Sequence, residues 1–211
     1  VSASEKYFFG RQVLITNRGT LTVKGEGTIE ATGELYPNHA IESEGGVLNI
    51  ESGNIVANWN GIRALRGCVV NISGGSISNI DTAANNEDSA LLLSKDVSTT
   101  ISGNARLTGY NTAVRSNGGD ITISENAYLT GKFGVMLFNS PGENTADASH
   151  SHLTMTGGTV EATYGFALSG NNLMSAMCSA EITGGTLTST AESTGIYWPM
   201  EGELTIGGKA V

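Results

Sequence analysis

The chain has 211 residues, of which 39% are apolar, 6% aromatic and 15% charged, enough length and apolar material for one continuous core and too much for a disordered tail. Eleven Lys and Arg against 20 Asp and Glu leave a net charge of -9, which excludes a basic surface for phosphate backbones or anionic membranes, so nucleic acid is not an expected partner. No run approaches the roughly 18 apolar residues of a membrane-spanning helix, and 29 glycines with few charges describe an all-β chain rich in turns.

Residues 1–18, with Tyr7, Phe8 and Phe9, read as an N-terminal cap or partial coil. From residue 19 to 211 one phrase, Leu-x-Ile-x-Gly-Gly-x-Ile, returns throughout: LTVKGEGTI from Leu21, LNIESGNI from Leu48, VNISGGSI from Val70, TTISGNARL from Thr99, ITISENAYL from Ile121, LTMTGGTV from Leu153, AEITGGTL from Ala180 and LTIGG from Leu204. Its anchors are Val23, Ile50, Ile72, Ile101, Ile123, Met155, Ile182 and Ile206, at intervals of 22 to 32 residues. Such variable spacing excludes a helical array of fixed period and suits coils that accept insertions.

Each coil holds three short segments that alternate with period 2, the signature of strands. After the anchor strand and a Gly-rich turn comes a second segment, centred on Ile29, Ile55, Ile77, Leu107, Leu129, Val160 and Leu187. A third segment follows: HAIES, GIRAL, SALLLS, TAVRS, GVMLF, GFALS and GIYWP. The same order repeated along the chain predicts an all-β, right-handed parallel β-helix with three strands per coil and about seven to eight coils, its core built from ladders of like residues. The start at Val1 without Met and the stop inside a strand-like pattern lead to the expectation of a fragment of a longer chain.

The repeats, and GIYWPMEGELTIGG most of all, resemble the coils of pectin-lyase-like right-handed β-helix proteins, in particular the repeat-rich surface proteins of gut Firmicutes. The resemblance implies the fold and an extracellular or cell-surface location. It does not imply one activity, because this scaffold serves lyases, hydrolases, adhesins, polysaccharide-binding modules and phage tailspikes.

The cysteines test the register. Cys68 and Cys178 each lie four residues before the inward Ile of their coils, Ile72 and Ile182. That places them in one column four coils apart, about 19 Å at the strand spacing of roughly 4.8 Å, too far for a disulfide. Two free, buried thiols are expected.

Chemistry is less visible. The carboxylate clusters of β-helix polysaccharide lyases and hydrolases have no counterpart: there is no Asp-Asp pair, no Gly-His-Gly and no Arg-Ile-Lys, and the string ending at Asp147 reads Asn-Thr-Ala-Asp. Catalysis is the minority reading. Asp81, Glu87 and Asp88 in one loop are hard oxygen donors suited to Ca²⁺, although their spacing is not that of an EF-hand and a solvated polar loop is the better reading. His150 and His152 lack the third and fourth ligands of a zinc site. The outward anchor-strand row, Thr22, Asn49, Asn71, Thr100, Thr122, Thr154, Glu181 and Thr205, reads as a solvated polar ladder.

Two candidate surfaces remain. The turn between second and third strands carries Trp59, Tyr110, Phe133 and Tyr164 at nearly the same coil position, where aromatic faces could stack sugar rings or one another. Outward third-strand positions read Glu42, Glu44, Arg63, Leu65, Leu92, Arg115, Met136, Phe138, Ala167 and Tyr197, a candidate contact face with an apolar strip that the insertions at 139–152 and 169–179 either wall into a groove or cover. The expected function is a non-catalytic extracellular β-helix module of an adhesin-like surface protein, without cofactor and monomeric. The alternatives are a polysaccharide-binding module for a pectin-like or host glycan or glycoprotein, and a phage fibre segment that would trimerise along the third face.

Overall fold

The computed structural model describes residues 12–33, 38–80, 88–140, 149–171, 177–191 and 194–211. The chain winds as an all-β parallel solenoid of about seven turns, with no helix among the described residues.

Anchor and second strands begin as separate elements. The anchor strands are Thr20–Val23, Val47–Ile50, Val69–Ile72, Val97–Ile101 and Gly119–Ile123, and the second strands are Thr28–Ala31, Asn54–Ala57, Ser76–Asn79, Arg106–Thr108 and Tyr128–Gly131. From the next turn onward the two run together as Ser151–Ala162 and Ser179–Ser189, followed by Leu204–Ala210. Register shifts between Met155 and Thr159, and between Ile182 and Gly184, absorb the corner that a Gly-rich turn makes in earlier coils. Third strands form an eight-membered sheet of their own: Gln12–Asn17, Asn38–Ser43, Asn60–Ala64, Ser89–Leu93, Thr112–Ser116, Phe133–Leu137, Leu168–Gly170 and Ile196–Tyr197. Gln12–Asn17, within the stretch read as cap or partial coil, is the first member of that sheet and pairs with Asn38–Ser43.

Both sequence ladders hold rung by rung. The anchor column pairs Val23, Ile50, Ile72, Ile101, Ile123, Met155, Ile182 and Ile206 in that order. The second column runs from Ile29 through Ile55, Ile77, Leu107, Leu129 and Val160 to Leu187. A third inward column is Ile15, Ile41, Ile62, Leu91, Val114, Val135, Leu168 and Ile196. In the middle turns these side chains are at most 1% exposed, and burying each is worth about 1.5–3 kcal/mol. At the last turn the column thins out, with Ile206 54% exposed.

Three local devices make the turns stackable. Gly75 has φ +75°, and a Cβ there would sit 2.6 Å from the carbonyl oxygen of Gly53 one turn away, so the Gly-Gly phrase lets backbone lie on backbone where the anchor strand turns. Buried asparagines bind the second corner to neighbouring turns: Asn79 Oδ1 accepts from the Tyr110 backbone N–H at 2.6 Å, and Asn60 Oδ1 accepts from the N–H and hydroxyl of Ser89, both at 2.9 Å. The bonds from the Tyr110 and Ser89 N–H groups satisfy backbone donors that the corner would otherwise strand.

The third device is a column of small residues. Ala40, Ala90, Ala113 and Ala167 belong to the core, and Gly61 and Gly134 hold the same place, one residue before the inward Ile, Leu or Val. A Cβ on Gly61 would lie 2.5 Å from Ile77 Cγ2, so this position faces the second-strand ladder. Two consecutive residues therefore face the core where the third strand begins, and only a small first residue fits. Ala167 is a member of this column, which corrects its reading as an outward residue.

On the outside of the anchor strands, polar side chains ladder as expected. Asn71 Nδ2 donates to Asn49 Oδ1 at 2.9 Å, and Asn49 Nδ2 to Thr22 Oγ1 at 3.3 Å.

Candidate functional site

The four aromatic residues of the second corner do not form one platform. Trp59 is only 6% exposed and stacks on His39, ring centroids 4.9 Å apart and 18° between planes; it is a core residue, not a sugar-facing one. Lys132 Nζ lies 4.1 Å above the half-buried ring of Tyr110, a cation–π contact that occupies that face. Phe133 meets Tyr164 edge-on at 6.5 Å and leans on Phe166 at 6.4 Å. Phe166 in turn stacks on Tyr197 at 4.8 Å and 21°. The structure thus joins Phe133 and Tyr164 to Tyr197, which belongs to the third-strand face, through Phe166, which the sequence reading missed. Tyr164 and Tyr197 are 70% and 46% exposed.

The outward column of the third sheet is Thr16, Glu42, Arg63, Leu92, Arg115, Met136, Ser169 and Tyr197. Of the two expectations for this face, a walled groove or a covered strip, it shows elements of both. Leu92 is 9% and Phe138 5% exposed, so neither presents apolar surface to a partner, while Arg63, Leu65, Arg115 and Met136 are half-buried. Arg63 is neutralised by Glu42, one turn away in the same column. Arg115 has uncharged column neighbours, Leu92 and Met136, and its guanidinium lies 4.5 Å above the ring of Phe138.

Around Arg115 the face is hollowed into a groove of about 370 Å³, lined by Thr112, Arg115, Phe133, Met136 and Phe138, with Asn111, Gly170 and Asn171 completing it. The register explains the gathering. Thr112 pairs with Phe133 and Arg115 with Met136 on adjacent strands, and Phe138 lies two residues beyond Met136 on the same side. One corner aromatic and three residues of the predicted contact face, the cation Arg115 among them, therefore meet in one concavity with Thr112 and two amides. Rings and a guanidinium beside hydrogen-bonding side chains suit a ligand that is part apolar and part polar.

Of the metal candidates only Asp88, His150 and His152 lie among the described residues. Asp81 and Glu87 lie outside the described residues, and Asp88 is fully buried at the second corner, next to Ser89 in the core sheet. Among the described residues no three His, Cys, Asp or Glu side chains are grouped for a metal ion. His150 and His152 take separate partners: His150 Nδ1 is 2.8 Å from Asn139 Oδ1, across a short antiparallel bridge, and His152 Nδ1 is 2.7 Å from Ser179 Oγ.

Both thiols are free and buried, as the register requires. Cys68 donates to the Ser43 carbonyl at 3.0 Å and accepts from the Gly45 N–H at 2.9 Å. Cys178 donates to Asn139 Oδ1 at 3.3 Å. Asn139 also meets His150, but His150 is not the partner of the thiol, so the trio lacks the Cys–His contact of an activated nucleophile. Burial pushes the Cys178 thiol from 9.0 up to about 11, against hydrogen bonds from Ser151 that pull it down. A thiol whose folded value is raised stabilises the fold below its ordinary range and loses that contribution as pH climbs to the raised value. Between pH 9 and 11 the chain is therefore expected to lose up to about 2–3 kcal/mol through this group. Urea unfolding of wild type and Cys178→Ala at pH 8 and pH 11 checks it: the gap between them should shift across that interval, and parallel losses would clear Cys178 of the effect.

The fold and groove define a parallel β-solenoid with an amphipathic concavity on its third face. Compared with known proteins, the chain matches no family model, no curated protein and no solved structure.

Proposed function

We propose that the chain is a non-catalytic module of an extracellular or cell-surface protein, related to the pectin-lyase-like β-helices, and that it binds a saccharide in the groove of its third face. The observation that carries this reading is the convergence of Phe133 and Met136 with the Arg115 guanidinium and the two asparagines in one concavity, floored by the buried Phe138. Sugar rings present apolar C–H faces and hydroxyls together, and aromatic surfaces beside hydrogen-bonding groups match both. The polar side chains along the anchor strands are used in ladders with one another, which leaves the third face as the better binding surface.

The test is retention of the purified chain on immobilised acidic, neutral and amino polysaccharides, with and without Ca²⁺. Phe133→Ala is expected to weaken retention about tenfold, the value of one aromatic contact. Trp59→Ala alters a core residue remote from the groove and should leave the affinity of folded protein unchanged. A blank array at high protein concentration would overturn the reading, as would Trp59→Ala weakening binding as much as Phe133→Ala.

A further inference from the structure

Resting on the saccharide reading, we infer that the binding surface continues out of the groove along an aromatic ridge ending in Tyr164 and Tyr197, and that its ligand is a single neutral glycan chain laid along the axis of winding. Continuity gives the path. Phe133 belongs to both surfaces, since it lines the groove and touches Tyr164 and Phe166. Phe166 carries the contact on to Tyr197, one turn further. Tyr197 also stands in the outward column of Arg115 and Met136, where the residue between Met136 and Tyr197 is the small Ser169. No bulky side chain of that column therefore separates the groove from the far ring. From Arg115 to Tyr197 the register steps through three strand spacings, about 14 Å, room for about three sugar units.

The rings are exposed yet held. Tyr164 and Tyr197 are 70% and 46% exposed, although large rings in mutual contact ordinarily gather inside a fold. An edge-on contact with Phe133 and a stack on Phe166 fix their orientation, so little side-chain freedom is left to lose when a ligand settles on them. Phe133 and Tyr164 stand at 79° to one another. A flat crystalline face cannot lie on both, whereas a single chain that twists from one unit to the next can. Rings in single file also suit a ligand one unit wide better than a protein surface, which needs a broad patch.

The chemistry beside the rings is that of a neutral partner. Lys132, the cation of the same corner, is held over the Tyr110 ring at 4.1 Å. Thr163 and Thr190, exposed at the entry to this corner, donate their hydroxyls to the carbonyls of Gly131 and Ala162. Their remaining lone pairs accept hydrogen bonds, which sugar hydroxyls can donate and a carboxylate cannot. With a net charge of -9 on the chain, a polyanion is also repelled at a distance.

The disaccharides and pentasaccharides of the cello-, xylo- and manno- series, with pentagalacturonic acid as the charged control, test this by titration calorimetry against the whole chain. At least one neutral pentasaccharide should bind about tenfold or more tighter than its own disaccharide and than pentagalacturonic acid. Tyr164→Ala should remove that advantage while leaving the disaccharide, which fits within the groove, unaffected. Because Tyr164 is 70% exposed, the substitution leaves the fold intact. A disaccharide or pentagalacturonic acid binding as tightly as the best neutral pentasaccharide would overturn the inference and leave the saccharide reading standing, as would Tyr164→Ala binding the pentasaccharide like wild type. Sedimentation of the wild type as a dimer that Tyr164→Ala dissociates would overturn it too, by assigning the ridge to a second copy of the chain. Negative titrations beside a positive polysaccharide array would sink the inference alone. Negative titrations beside a blank array would sink both.

Discussion

Leu107→Ala is expected to cost about 2–5 kcal/mol, the range for emptying a fully buried leucine site, whereas Ile206→Ala is expected to cost about 1 kcal/mol or less because its side chain already meets solvent. Leu107 has no exposure and stands midway in the second ladder, between Ile77 and Leu129. Backbones on both sides are held by parallel pairing, so the cavity cannot close by a strand moving inward. Ile206 is 54% exposed and paired on one side, with Ile182. Urea unfolding of both variants gives the two costs directly. Equal costs would mean that stability is not set by neighbours within the ladder, contrary to the nearest-neighbour behaviour of stacked repeats.

Gly61→Val should be nearly as damaging, at about 3 kcal/mol, by overfilling the core rather than emptying it. Any Cβ at this position lies 2.5 Å from Ile77 Cγ2 and 2.8 Å from the Ala90 carbonyl oxygen. The carbonyl belongs to the paired strand and cannot yield, while the isoleucine methyl can. Part of the cost should therefore disappear in an Ile77→Ala background, a coupling expected for residues in contact. Additive effects of Gly61→Val and Ile77→Ala would place residue 61 away from the second ladder and refute the small-residue column.

The contrast between ladders and corner explains what could be read from the residues. Val23 to Ile206 was legible because each rung repeats one residue type beside one glycine turn, and period-2 alternation then fixes which side faces the core. The cysteine register was legible for the same reason. Alternation fails at the start of the third strand, where Ala113 and Val114 both face inward: a rule of two cannot express two inward residues in succession, so Ala167 was placed outside. The sixth coil compounded this, because Gly165-Phe166 resembles the Gly134-Val135 pair of the coil before. In the register Val135 instead meets Leu168, which makes Ser169 the outward residue and frees Phe166 to join the aromatic group.

The site was legible only in parts. Phe133, Arg115, Met136 and Phe138 were all picked out, but on two separate surfaces, since their meeting depends on how far the second corner projects over the third face. Burial was beyond reach for Trp59 and Leu92: an aromatic or leucine at an outward position looks the same in sequence whether a neighbouring side chain covers it or not. The His39 ring over Trp59 is such a cover, and nothing in the spacing of the two residues announces it.

Because successive turns are joined strand to strand, their backbone hydrogen bonds point along the axis of winding. Tension applied along that axis would load these bonds end-on and one layer at a time, so the chain would peel turn by turn at modest force instead of breaking as a block. The merged strands Ser151–Ala162 and Ser179–Ser189 alter this locally. Their pairing continues, through two register shifts, across the place where earlier turns have a corner, so the anchor and second strands of this layer would part together rather than one after the other and would slow unravelling from either side.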